Sequence, residues 1–83
     1  MNKNAFKVLI IDDEEAMRDA CLQVLRKDGY QGGASSDGPS GLDRARAWKP
    51  DVALVDLKMP GMGGLEVLPR LREIDPDIIP IVI

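Results

Sequence analysis

The sequence predicts an α/β domain built on a doubly wound parallel sheet, for which the strand order 2-1-3-4 is supposed. Three observations lead there. Apolar runs at residues 7–11, 52–55 and 78–83 are too hydrophobic to be half-exposed, as in strands covered on both faces. Between the runs, apolar residues recur at spacings of three and four, the period of helices packed on one side. Gly, Pro and Asp punctuate the changes from one pattern to the other. Strands alternating with helices imply crossover connections of one hand and a sheet sandwiched by helices.

The first strand is Lys7-Val8-Leu9-Ile10-Ile11, closed by Asp12, Asp13, Glu14 and Glu15. Glu14 and Glu15 start the first helix, where the positive end of its dipole favours acids; Asp12 and Asp13 occupy the turn before it. Met17, Ala20, Cys21, Val24 and Leu25 form the helix's apolar face, with Met17 and Cys21 read as core, and Arg18, Gln23, Arg26 and Lys27 fall outside it. Gly29 is its C-cap. Tyr30 to Ala34 is a second strand, weakened by Gly32 and Gly33. After a turn at Ser35 to Pro39, Asp37 or Ser40 caps a second helix that runs to about Trp48, with Leu42 and Ala45 inward.

Lys49-Pro50-Asp51 breaks that helix and leads into the central strand, Val52 to Val55, which ends at Asp56. Gly61, Gly63 and Gly64 lack the spacing of phosphate-cradling loops and are read as turn residues. Leu65, Leu68, Leu71 and Ile74 mark the inner side of a third helix, with Pro69 expected to distort its first turn. Pro76 ends it, and Ile78 to Ile83 forms a fourth strand with no helix after it. One small domain, a fragment of a longer one, is the expectation.

Composition narrows the function. The net charge of −3 comes without a basic patch, which gives no support for nucleic-acid binding by this segment. The apolar runs are too short to cross a bilayer, and residues 1–7 lack the long apolar core of a signal peptide, so a cytoplasmic protein is expected. One cysteine, Cys21, cannot form an internal disulfide. The absence of histidine excludes imidazole metal ligands and His-based catalysis within the chain.

The acids carry the chemistry. In the order 2-1-3-4 the winding reverses between strands one and three, and the loops that diverge there leave a crevice at the carboxyl ends of the strands. Asp12 and Asp13 end strand one and Asp56 ends strand three, so three carboxylates converge. Like charges that close call for a cation. Hard oxygen ligands suit Mg²⁺, and Asp can capture a phosphoryl group as an acyl phosphate. Capping of the neighbouring helices is the competing account of these acids.

Three stretches go further: Val8-Leu9-Ile10-Ile11-Asp12-Asp13-Glu14, the Lys49-Pro50-Asp51 lead-in, and Leu54-Val55-Asp56-Leu57-Lys58-Met59-Pro60-Gly61 followed by Gly64-Leu65. In them the chain resembles the receiver domain of two-component response regulators. The specific part is the acidic pair after strand one combined with Asp-x-x-Met-Pro-Gly after strand three. The resemblance implies a flavodoxin-like (CheY-like) fold in which residues 1–83 are the N-terminal part of a receiver domain, lacking the last helices and the fifth strand. It implies that Asp56 is the phosphoacceptor, that Asp13 binds Mg²⁺ directly with help from Asp12, and that the main-chain carbonyl of Lys58 is a further ligand. The implied donor is a sensor histidine kinase or a small acyl phosphate. The implied module takes up a phosphoryl group without being a turnover enzyme, and controls a transcription-regulatory output. Family members also carry a Ser or Thr after strand four and a Lys on strand five, positions that would fall beyond Ile83.

Two other readings compete. The uncovered fourth strand could make the chain an assembly or domain-swapped unit, since open edges recruit other strands. An Asp-nucleophile phosphatase would want a general acid two residues after Asp56, where Lys58 stands.

Overall fold

A computed structural model describes residues 6–83, so most of the N-terminal seven-residue stretch tested above for a signal peptide lies outside the described residues. The elements are β1 (Lys7–Ile11), α1 (Glu15–Lys27), β2 (Gln31–Ser35), α2 (Gly38–Trp48), β3 (Val52–Val55), α3 (Gly64–Ile74) and β4 (Ile79–Val82). Among the described residues they make one four-stranded parallel sheet in the order β2-β1-β3-β4. The expected fold class and strand order are therefore the ones observed.

Local chemistry accounts for the boundaries. The carboxylate of Asp37 caps α2 by accepting the Ser40 N–H at 2.8 Å. At the end of α1 the Gly29 N–H donates to Arg26 and the Tyr30 N–H to Leu25. This double closure needs a left-handed residue, and Gly29 supplies it with φ 88°. The glycines that weaken β2 as a strand serve its packing. A Cβ on Gly32 would lie 2.8 Å from Leu22 of α1, and one on Gly33 would lie 3.0 Å from the Trp48 ring of α2. Both helices therefore approach β2 closely. The strand itself runs one residue later than the sequence indicates.

The core lies between the sheet and the α2–α3 face, where Leu9, Ile11, Val55, Leu42, Val67 and Leu71 are buried. Two helix faces differ from expectation. No residue of α1 is fully buried; Met17 is 44% exposed and Val24 65%. The helix lies over β1 and β2. The flank of its apolar stripe therefore faces a sheet surface over β3 that no described helix covers, and Leu22 takes the inward position instead. In α3, Leu65 is 74% exposed, and the buried residues are Val67 and Leu71. Periodicity located the stripe but not its centre.

Pro69 sits inside a continuous α3. It leaves the Leu65 carbonyl without its helical donor, but both residues face water, which can take the donor's place. The first turn is tightened: the Gly63 carbonyl accepts from both Glu66 and Val67 at 3.0 Å.

Candidate functional site

The site forms where the sheet changes its winding. Chain β1 leaves through α1 on one face, and β3 leaves through α3 on the other. Register sets the strand ends level, because Ile11 pairs with Val55. The residues that follow, Asp12 and Asp56, therefore emerge side by side. The Asp56 N–H donates to the Ile11 carbonyl at 2.9 Å, and the Asp12 N–H donates to the Ser35 carbonyl at 3.1 Å.

Both carboxylates are then held by the same device. Asp12 Oδ1 accepts the Glu14 N–H at 2.9 Å, and Asp56 Oδ1 accepts the Lys58 N–H at 3.1 Å. Each is an Asx turn, in which a short acid bonds the backbone two residues on. Asp12 is buried at 3% exposure, Asp56 is half-buried and Asp13 is exposed. One carboxylate oxygen from each of the three lies within 4.8 Å of the other two. Helix capping does not account for Asp13 or Asp56, whereas Asp12 Oδ1 bonds the amide of the N-cap residue Glu14. The N-caps are Glu14 for α1 and Gly63 for α3, and neither Asp13 nor Asp56 fills that role.

The donor set fits a small hard cation. It offers three carboxylates, two of them oriented by backbone amides, at a mixed buried and open position. Lys58, singled out for its carbonyl, is an exposed residue whose N–H is committed to Asp56.

Two further residues shape this site and were not singled out from the sequence. Arg18 was placed off the apolar face of α1, yet its side chain is part-buried and its Nη1 donates to the Asp12 carbonyl at 2.8 Å. The signal was available in principle: long helical side chains lean toward the N-terminus and reach the preceding turn. Gly64 was read as a turn residue. It opens α3 against the end of β3, where a Cβ would lie 2.8 Å from the Asp56 carbonyl oxygen and 2.9 Å from Leu57 Cα. The sequence offers Gly64 only within the Gly64-Leu65 match, and its spacing does not mark that approach. The intervening loop turns at Gly61, with φ 74°, and is anchored by buried Met59. A groove of about 640 Å³, lined by Arg46, Lys49, Arg70 and Glu73, opens between the C-terminal ends of α2 and α3, at the opposite end of the strands. It does not share the acidic trio.

Residues 8–83 match the family model described as the response regulator receiver domain. The chain belongs to this family. It is 40% identical over 72 residues to sporulation initiation phosphotransferase F of Bacillus subtilis, covering 87% of this chain and 58% of that protein. It is 39% identical over 66 residues to the transcriptional regulatory protein CseB of Streptomyces coelicolor, covering 80% of this chain and 28% of that one. Among solved structures, the response regulator protein TrrA of Thermotoga maritima, in complex with Mg²⁺–BeF, superposes with a TM-score of 0.87 at 28% identity. That match covers 93% of this chain and 67% of that one. This receiver chain thus spans little more than half of the first relative and less than a third of the second. Among the described residues, no helix is long and apolar enough to cross a membrane.

Proposed function

We propose that this chain is the acceptor part of a receiver module, in which Asp56 takes a phosphoryl group from a sensor histidine kinase or a small acyl phosphate in a Mg²⁺-dependent reaction. The observation that carries the reading is the convergence of Asp12, Asp13 and Asp56 within 4.8 Å at the carboxyl ends of β1 and β3. Asp13, Asp12, Asp56 and the Lys58 main-chain carbonyl would hold Mg²⁺. The ion would supply positive charge that offsets the charge gathering as the phosphoryl group arrives. The TrrA structure, a relative in complex with Mg²⁺–BeF, supports that assignment.

In the transfer, a carboxylate oxygen of Asp56 forms a bond to phosphorus while the donor's P–N or P–O bond breaks. The donor imidazole or carboxylate leaves with the electron pair. The product is an acyl phosphate on Asp56. The Lys58 amide, bonded to Oδ1, orients the carboxylate for the attack. The module is phosphorylated once per cycle and is not a turnover enzyme. CseB, a transcriptional regulatory protein among its relatives, supports a transcription-regulatory output in the complete protein. A lone free cysteine, Cys21, fits the reducing cytoplasm, and a net charge of −3 without a basic patch gives this segment no evident hold on nucleic acid.

Mass spectrometry after incubation of the full protein with acetyl phosphate and Mg²⁺ tests the proposal. One phosphoryl group should be added in the wild type. None should be added in Asp56→Asn or after chelation of divalent cations. An unmodified wild type would contradict the reading.

One observation favours a second property, self-association. Among the described residues β4 is the last strand of the sheet; it exposes Ile79 to 57%, with Ile81, Val82 and the following Ile83 also open, and apolar edges recruit other strands. Sedimentation at rising concentration should show dimers or larger species; a monomer throughout would exclude it.

A further inference from the structure

We propose that Arg18 is a positioning residue for the acidic site: its guanidinium holds the Asp12 carbonyl and so fixes where the Asp12 and Asp13 carboxylates stand relative to Asp56. The inference rests on the reading of that site as a Mg²⁺ site.

The β1–α1 turn has few other restraints. Asp12 is tied at its N–H to Ser35 and at Oδ1 to the Glu14 N–H. The second bond closes an Asx turn through the Asp12–Asp13 peptide, but neither bond holds the Asp12 carbonyl itself, and the tilt of that peptide plane sets the direction of the Asp13 side chain. Asp13 is exposed, and the N-cap residue Glu14 makes no side-chain capping bond. The carbonyl of Asp12 reports the orientation of the plane, and Arg18 binds that carbonyl at 2.8 Å. Arg18 also sits rigidly for the task, since its own N–H donates to the Glu14 carbonyl at 3.1 Å in the first turn of α1. One residue thus ties two carbonyls of the turn, those of Asp12 and Glu14, to the helix. A part-buried guanidinium with a fixed fork of donors suits this better than a flexible ammonium.

Charge and position make opposite demands, which gives the test its sign. A cation beside three acids repels Mg²⁺, so if charge were its main contribution, removing Arg18 would tighten binding. If positioning dominates, removal weakens binding. Loss of a group that orients a metal ligand typically costs about 10- to 100-fold in affinity. We expect that loss in Arg18→Met, which keeps the apolar stem, and a smaller one in Arg18→Lys, which keeps the charge and one donor group.

The experiment pairs a Mg²⁺ titration by calorimetry with amide hydrogen exchange in metal-free protein, on wild type and both variants. In metal-free Arg18→Met the Glu14 amide, which bonds Asp12 Oδ1, should exchange several-fold faster. The Ser40 amide, held by Asp37 in α2, should not change. Faster Glu14 exchange together with weaker Mg²⁺ binding supports the proposal. Unchanged Glu14 exchange, or tighter Mg²⁺ binding in Arg18→Met, overturns it. A wild type that binds no Mg²⁺ would sink the metal reading of the site, and the metal-free exchange would then decide by itself whether Arg18 holds the turn.

Discussion

Asp12 and Asp56 occupy equivalent places at the ends of adjacent strands, and each gives one carboxylate oxygen to the amide two residues on. That equivalence was legible, because the acids closing two apolar runs can be counted along the chain. Their supports were harder to read: the lean of helical side chains could have pointed to Arg18, but the close approach of Gly64 to β3 is not something periodicity reports. Gly64 makes the point testable. Exchanging glycine for alanine in a helix normally gains about 0.5–1 kcal/mol. Here the new methyl would meet the Asp56 carbonyl oxygen and Leu57 Cα, backbone atoms that cannot swing aside. Gly64→Ala should therefore destabilise the fold by about 1–3 kcal/mol, the usual cost of overpacking, read as a lower urea midpoint. A raised midpoint would show that α3 can slide away from β3.

Each helix and strand is set by its ends and its exposed side. The cap of α2 is a titrating one: the Ser40 amide, and secondarily its side chain, hold the Asp37 carboxyl below its ordinary value of 3.8. A lowered folded value means that the cap's contribution is present above pH 3.8 and is lost as pH falls through the folded value. Asp37→Asn keeps a capping oxygen that does not titrate. Wild type and Asp37→Asn should melt at similar temperatures near neutrality, and below pH 3.8 the wild type should fall behind. Parallel melting curves down to pH 2 would contradict this role.

The outer strand has its own protection. The Ile79 and Ile83 N–H groups donate inward to Asp51 and Val55, so residues 80 and 82 face outward. Pro80 at that edge has no N–H to offer. Pro80→Val restores an outward donor and should raise self-association in sedimentation, whereas Val82→Lys should lower it. A Pro80→Val variant no more associated than wild type would show that backbone pairing along β4 is not the contact. That the fourth strand would lie outermost in the described sheet was plain from the order of elements. The exposure of Met17, Val24 and Leu65 was not, because a stripe of apolar residues does not say which sheet surface lies beneath it.

In the molecule as a whole, the alternation of elements and the handedness of their crossovers give the parallel sheet and narrow its strand orders, and the order supposed from the sequence, 2-1-3-4, is the one observed. The winding reversal between β1 and β3, with Ile11 and Val55 in register, then brings residues 12, 13 and 56 together. The stability behind it is slender. Domains of this size bury only about 60% of their unfolded surface, and Leu71, at the centre of the α3 contact, is almost fully buried. Leu71→Ala should cost about 2–5 kcal/mol, enough to leave much of the population unfolded by circular dichroism; a fully folded variant would mean that the core can close over the gap. The central claim is that the three acids behave as a single cation site. The measurement that addresses it is a Mg²⁺ titration followed by the backbone amide resonances of Glu14 and Lys58, the two amides bonded to Asp12 and Asp56. Both resonances should move along one saturating curve, and neither should move in Asp13→Asn at the same concentrations. Resonances that move independently, or stay where they are in the wild type, would show that the winding reversal gathers the carboxylates without making them a site.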